Sequence, residues 1–101
     1  VLKKYGSIGV KDGTAANDVT SISTRGADVY AVGWQSVAGS AGSGALYDND
    51  APTTTGDIQF EFGSAASGGD YKELGPIQFK NGISFGGVNV AGVIVYACVA
   101  P

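Results

Sequence analysis

A chain of 101 residues with net charge −3, no histidine and one cysteine has room for one domain. Its six basic residues, Lys3, Lys4, Lys11, Arg25, Lys72 and Lys80, are scattered apart from the N-terminal pair, so no basic stripe is present to neutralise nucleic-acid phosphates. Without histidine, Ser-His-Asp and Cys-His nucleophiles cannot be built, and Cys98 alone supplies neither an internal disulfide nor a structural zinc site.

A domain of this size buries roughly 60–70% of the surface its unfolded chain exposes. The 17 glycines raise the entropy cost of ordering the loops. Packing against a neighbour would offset part of that cost. No segment reads as a signal peptide. The longest apolar stretch, Val90 to Pro101, is about half the length of a helical membrane span. Neither a nucleic acid nor a membrane is expected as a partner. The first residue is Val, which reads as loss of an initiator Met.

No stretch shows sustained helical periodicity; alternation and β-branched residues dominate. A first strand is predicted over Gly6 to Lys11, with Ile8 and Val10 on one face. Asp12-Gly13-Thr14 reads as a turn. A second strand runs from about Asp18 to Thr24. The third, Val29 to Val37, places Tyr30, Val32 and Trp34 on one face and Val29, Ala31 and Gly33 on the other. A Gly/Ala/Ser loop, Gly39 to Gly44, precedes the short strand Ala45-Leu46-Tyr47-Asp48. A polar loop from Asn49 to Gly56 leads to Asp57–Phe62, where Ile58, Phe60 and Phe62 point one way. Strands at Tyr71–Leu74 and Ile77–Lys80 are split by Gly75-Pro76. Asn81-Gly82 favours a type I′ hairpin turn into Ile83-Ser84-Phe85. Gly86 and Gly87 break the chain before the last strand, Val88 to Val99. That strand is apolar on both faces and belongs at the centre of a sheet or beneath a partner.

About eight strands, with turn signals every 8–12 residues or so, predict an all-β fold: an antiparallel β-sandwich or small barrel. Residues 1–101 form a single domain, with residues 1–6 as a candidate N-terminal arm.

Chemistry is sparse on this scaffold. Asp48-Asn49-Asp50 offers oxygen ligands of the type calcium accepts, but it lacks the later Gly and Glu of an EF-hand loop. Asp and Asn also form ordinary turns through side-chain to backbone hydrogen bonds, and the turn reading is favoured. Glu61 and Glu73 read as solvated strand residues, with nothing to pair them as glycosidase acids. Gly39–Gly44 and Gly63–Gly69 lead into strands, not into the helix N-terminus that a phosphate grip needs. Trp34, Tyr30 and Tyr47 are candidates for glycan or protein contact; for Trp34 and Tyr30, core filling with the polar atoms bonded at its edge is favoured. Cys98, among Tyr96, Ala97 and Val99, reads as a small buried hydrophobe. No catalytic, metal or cofactor site is predicted.

The segments Tyr30 to Trp34, Leu46-Tyr47-Asp48 with Ala51-Pro52 and Gly56, Pro76-Ile77-Gln78-Phe79 through Asn81-Gly82-Ile83-Ser84, and Val93-Ile94-Val95-Tyr96 occur in an order that resembles small β-rich structural proteins of tailed bacteriophages, especially those from aquatic samples. The resemblance covers Tyr30 to Ala97. It implies a non-enzymatic virion component. Without a trimerisation stem, the chain looks more like a capsid decoration (cement) protein than a fibre. Such proteins clamp neighbouring major capsid subunits, often as trimers, and attach by an N-terminal arm. Leu2, Lys3, Lys4 and Tyr5 would form that arm here, with the lysines meeting an acidic capsid surface; a frayed terminus or an edge strand is the other reading of these residues. A receptor- or glycan-binding module of a tail or head fibre, and a carbohydrate-binding accessory domain of an extracellular enzyme, are the alternatives.

Overall fold

In the computed structural model the protein is described at residues 3–4, 8–11, 18–52 and 54–99, with side chains at 21–52 and 54–98. The expected Asp12–Thr14 turn, the start of the first strand, and Leu2 and Tyr5 lie outside those residues. Nine strands occur among the described residues: β1 (Lys3–Lys4), β2 (Ile8–Lys11), β3 (Asp18–Ser23), β4 (Ala27–Ser36), β5 (Gly42–Asp48), β6 (Asp57–Ser64), β7 (Gly69–Phe79), β8 (Ile83–Val88) and β9 (Val90–Val99). All pairings are antiparallel and form two sheets. In the five-stranded sheet β1 and β2 both lie against β9, which pairs with β4, and β4 with β7. The four-stranded sheet runs β3-β8-β5-β6. The fold is an all-β sandwich, and no described helix is long and apolar enough to cross a membrane.

The core lies between the sheets. Val29, Val32, Val93, Val95 and Phe79 come from the five-stranded sheet, and Leu46, Phe62, Ile83 and Phe85 from the four-stranded one. Trp34 reaches across the gap to Phe62, 4.9 Å away between centroids, and Phe62 stacks on Phe85 of its own sheet at 6.0 Å. Offset and tilted ring pairs of this kind add stabilisation beyond the area they bury.

The doubly apolar last strand occupies the interior of its sheet, with β4 on one side and β1 and β2 on the other. Val93, Val95 and Ala97 are buried, whereas Ile94 on the opposite face is exposed. Cys98 is buried, as expected, but outside the core cluster.

Three expectations from strict alternation are corrected. First, β4 carries an extra residue at Tyr30: Val29 pairs with Ala97 and Ala31 with Tyr96. This bulge shifts the phase, because two residues on the bulged strand oppose one on its partner. Val29, Val32 and Trp34 therefore face the core while Tyr30 is exposed. Second, Leu46 pairs with Phe60 but Tyr47 with Ile58. The extra residue, Gln59, turns Ile58 outward to 51% exposure while Phe60 and Phe62 stay against the core. Third, Tyr71–Leu74 and Ile77–Lys80 are not two strands. Gly75 and Pro76 sit in a bulge inside β7, where Ala31 pairs with Glu73 and Val29 with Ile77. Proline cannot donate to a ladder, so it is tolerated here because β7 is an edge.

Asn81-Gly82 makes no hairpin. It carries the chain from β7 in one sheet to β8 in the other. A Cβ on Gly82 would stand 2.6 Å from the Ser23 carbonyl and 2.8 Å from the Asp50 Cα, so crowding demands glycine there. Gly86 and Gly87 do not end a strand either; both remain in β8, and the break falls at Asn89, whose φ is +56°. Asparagine is among the residues that tolerate this left-handed conformation.

Phe85 is fully buried and Tyr30 is 40% exposed. Phe85→Ala is expected to cost about 3–5 kcal/mol. Tyr30→Ala is expected to stay within about 0.5 kcal/mol of the parent. Urea unfolding of the two variants measures both.

Candidate functional site

Asp48 ends β5, and its carboxylate is committed to the backbone. The Lys80 N–H donates to Oδ2 at 3.1 Å and the Asn81 N–H to Oδ1 at 2.8 Å. Asp48 thus holds the crossing from β7 to β8. Asn49 forms an Asx turn, with Oδ1 accepting the Ala51 N–H at 2.9 Å, and its Nδ2 donates to the Thr55 carbonyl at 3.4 Å. Asn49 thus fills the turn role of a short polar side chain in a loop, whereas Asp48 is no local turn former, since the amides it holds lie 32 and 33 residues along the chain. Among the described residues no group of three or more His, Cys, Asp or Glu is placed to hold a metal.

At the other end of the sandwich, the buried Ser36 ties the sheets together. The Gly42 N–H donates to Ser36 Oγ at 3.0 Å, and Ser36 Oγ bonds Ser64 through both its carbonyl and its hydroxyl. Ser64 Oγ donates to the Gly68 carbonyl at 3.1 Å. This hydroxyl network fastens β4 to β5 and β6.

The expected contact aromatics separate. Trp34 packs at the core edge against Phe60 and Phe62. Among the described residues its Nε1 is buried without a hydrogen-bond partner, contrary to the expectation of a bonded polar atom. Tyr30 stands exposed on its bulge. Tyr47 lines a groove of about 310 Å³ over the outer face of the four-stranded sheet, with Ala45, Thr54, Ile58, Glu61 and Gly86. Gly86 lies under Thr54: a Cβ there would meet the Thr54 Cγ2 at 2.7 Å and the Tyr47 ring at 3.4 Å. The loop between β5 and β6 is thereby folded back onto its own sheet. The groove offers hydroxyls, one carboxylate and one aromatic edge, and it is open to solvent.

A second surface lies on the outer face of the five-stranded sheet. One row across it runs Tyr71, Gly33, Ile94, and the next runs Glu73, Ala31, Tyr96. Tyr71 is 54% exposed and Ile94 is 42% exposed. The two tyrosine rings meet edge-on at 6.2 Å. This face was not legible from alternation alone, because the bulge at Tyr30 decides which residues share it. Glu61 and Glu73 are both exposed and stand on different sheets. Of the candidate arm, Lys3 and Lys4 form β1, in register with Val99 and Cys98.

No protein-family model matches the chain, and no curated protein is similar to it. Among solved structures, the coat protein of Tobacco streak virus is similar in backbone course, with a TM-score of 0.43, 14% identity, and 94% of this chain and 88% of that chain covered.

With both Asp48 oxygens engaged by backbone amides, Asp48→Ala is expected to destabilise by about 1–3 kcal/mol, since hydrogen bonds to charged groups exceed neutral ones. Adding millimolar calcium is expected to leave the parent melting temperature unchanged. Thermal melts with and without calcium, and urea titration of the variant, measure the two effects.

Proposed function

We propose that the protein is a non-enzymatic structural component of a virion, a decoration (cement) protein on a bacteriophage capsid. The observation that supports this most is where the phage-like motifs fall. Tyr30–Trp34 is in β4, Leu46–Asp48 in β5, Ile77–Phe79 in β7, Ile83-Ser84 in β8 and Val93–Tyr96 in β9. Those strands are direct neighbours: β4 with β7 and β9, and β5 with β8. The resemblance thus describes one packed unit and not a string of unrelated turns. The surfaces suit a binding role, because both outer faces carry exposed apolar side chains, Ile58 and Val88 on one and Tyr71 and Ile94 on the other.

On this reading the major capsid protein is the partner and the capsid surface is the location. Each copy buries apolar and backbone surface across a boundary between capsid subunits. Many weakly bound copies then reinforce one lattice through multivalency. Leu2, Lys3, Lys4 and Tyr5 add a basic contact to an acidic capsid surface.

The groove beside Tyr47 and Glu61 favours one second reading, a glycan-binding module of a fibre. A carboxylate and neighbouring hydroxyls accept and donate to sugar hydroxyls, and an aromatic edge packs on the ring.

Heads assembled without the protein distinguish the two. For a decoration protein, purified chain rebinds such heads stoichiometrically and raises the temperature at which they release DNA. Heads that are equally resistant to heat and osmotic shock with and without the chain, together with a glycan-array signal lost in Tyr47→Ala, would overturn decoration in favour of the fibre reading.

A further inference from the structure

The outer face of the five-stranded sheet combines an apolar centre with margins of opposite charge. Its middle strands carry Ile94, Tyr96, Ala31 and Gly33, and the row towards β1 adds Cys98 and the one acid of the middle strands, Asp28. One margin is built from β1 and β2, whose sequences are Lys-Lys and Ile-Gly-Val-Lys, with no acid among them. The other margin is β7, where Glu73 shares the outward row of Ala31 and Tyr96. Lys72, one residue away, pairs with the core residue Val32 and so belongs to the opposite face.

We infer that this face binds a second copy of the chain, in a two-fold pair whose axis runs parallel to the strands. The charges select that axis. Two sheets placed face to face around an axis along the strands bring the β7 margin of one copy over the β1 and β2 margin of the other. The strand positions of Lys4 and Lys11, in register with Cys98 and Gly92, then lie over the margin that carries Glu73, and the apolar centres meet. An axis across the strands would instead set lysine against lysine, and like charges placed opposite each other are repulsive. A two-fold contact uses the same patch on both copies, as this face can. The molecule measures 42 × 24 × 18 Å, so its broad side has room for the roughly 800 Å² per partner of a standard interface. Sheets packed face to face hold their strands within about 30° of parallel, which keeps the margins opposed. The inference stands independently of the virion reading and replaces the threefold assembly that the phage resemblance implies with a twofold one.

Sedimentation of the full chain over a concentration series tests it. The expected result is a monomer–dimer equilibrium that weakens as salt is raised. Ile94→Lys is expected to raise the dissociation constant at least about tenfold, the loss of roughly one buried aliphatic side chain. Tyr71→Lys, on the exposed edge strand, removes apolar contact and sets like charge against the partner's lysine margin, so it is expected to act in the same direction and serves if Ile94→Lys does not fold by circular dichroism. The axis has its own test. Glu73→Lys alone and the Lys4→Glu, Lys11→Glu pair alone each weaken self-association, whereas a mixture of the two proteins forms a heterodimer tighter than either homodimer. A chain that stays monomeric at all concentrations, a trimer, a dimer indifferent to Ile94→Lys and Tyr71→Lys, or a mixture no tighter than its components would overturn the proposal.

Discussion

Everything in this sandwich depends on packing the aromatic rings of one sheet against the other. Trp34 from β4 rests across the gap on Phe60 and Phe62 from β6, and Phe62 stacks within its own sheet on Phe85 from β8. These large side chains set the separation of the sheets and decide which residue of each strand faces inward. Two strands give up perfect alternation to satisfy them. The extra residue at Tyr30 brings Val32 and Trp34 into phase with Val95 and Val93, and the extra residue at Gln59 keeps Phe60 opposite Leu46. Apolar burial outweighs the local ladder disruption a bulge causes, because a buried aromatic is worth several kcal/mol, on the order of 3–5.

The same packing forces the chain to change sheets at most of its connections. From β3 onward, only β5 and β6 are sequential partners in one sheet. Each crossing must satisfy backbone groups without the ladder of a hairpin. Asp48 does so for Lys80 and Asn81, and the Ser36–Ser64 hydroxyls do so at the opposite end. Polar side chains that resemble candidate ligands are therefore consumed as fasteners. That leaves the outer faces, not a cleft, as the surfaces available for binding.

Those faces differ. The four-stranded sheet is partly roofed by the loop that places Thr54 over Gly86, and a polar groove remains beside it. The five-stranded sheet has no comparable roof over Ile94, Tyr71 and Tyr96 among the described residues. A small domain with many glycines gains from covering such a face, because apolar burial offsets part of the entropy cost of ordering its loops.

The sequence by itself determined the all-β class, most strand positions, the interior place of the last strand and the scarcity of catalytic groups. Alternation and β-branched runs report these locally. Asn49 was also legible as a turn residue, since its chemistry acts within its own loop, whereas the role of Asp48, bonded to amides 32 and 33 residues away, was not. Only the tertiary structure decided which face each residue takes beyond a bulge, where Tyr30 and Ile58 go outward. It also decided that Asn81-Gly82 crosses between sheets and that Gly75-Pro76 stays inside an edge strand. Those outcomes depend on which strand lies alongside, and a pairing between residues distant in the chain leaves no periodic trace in either segment.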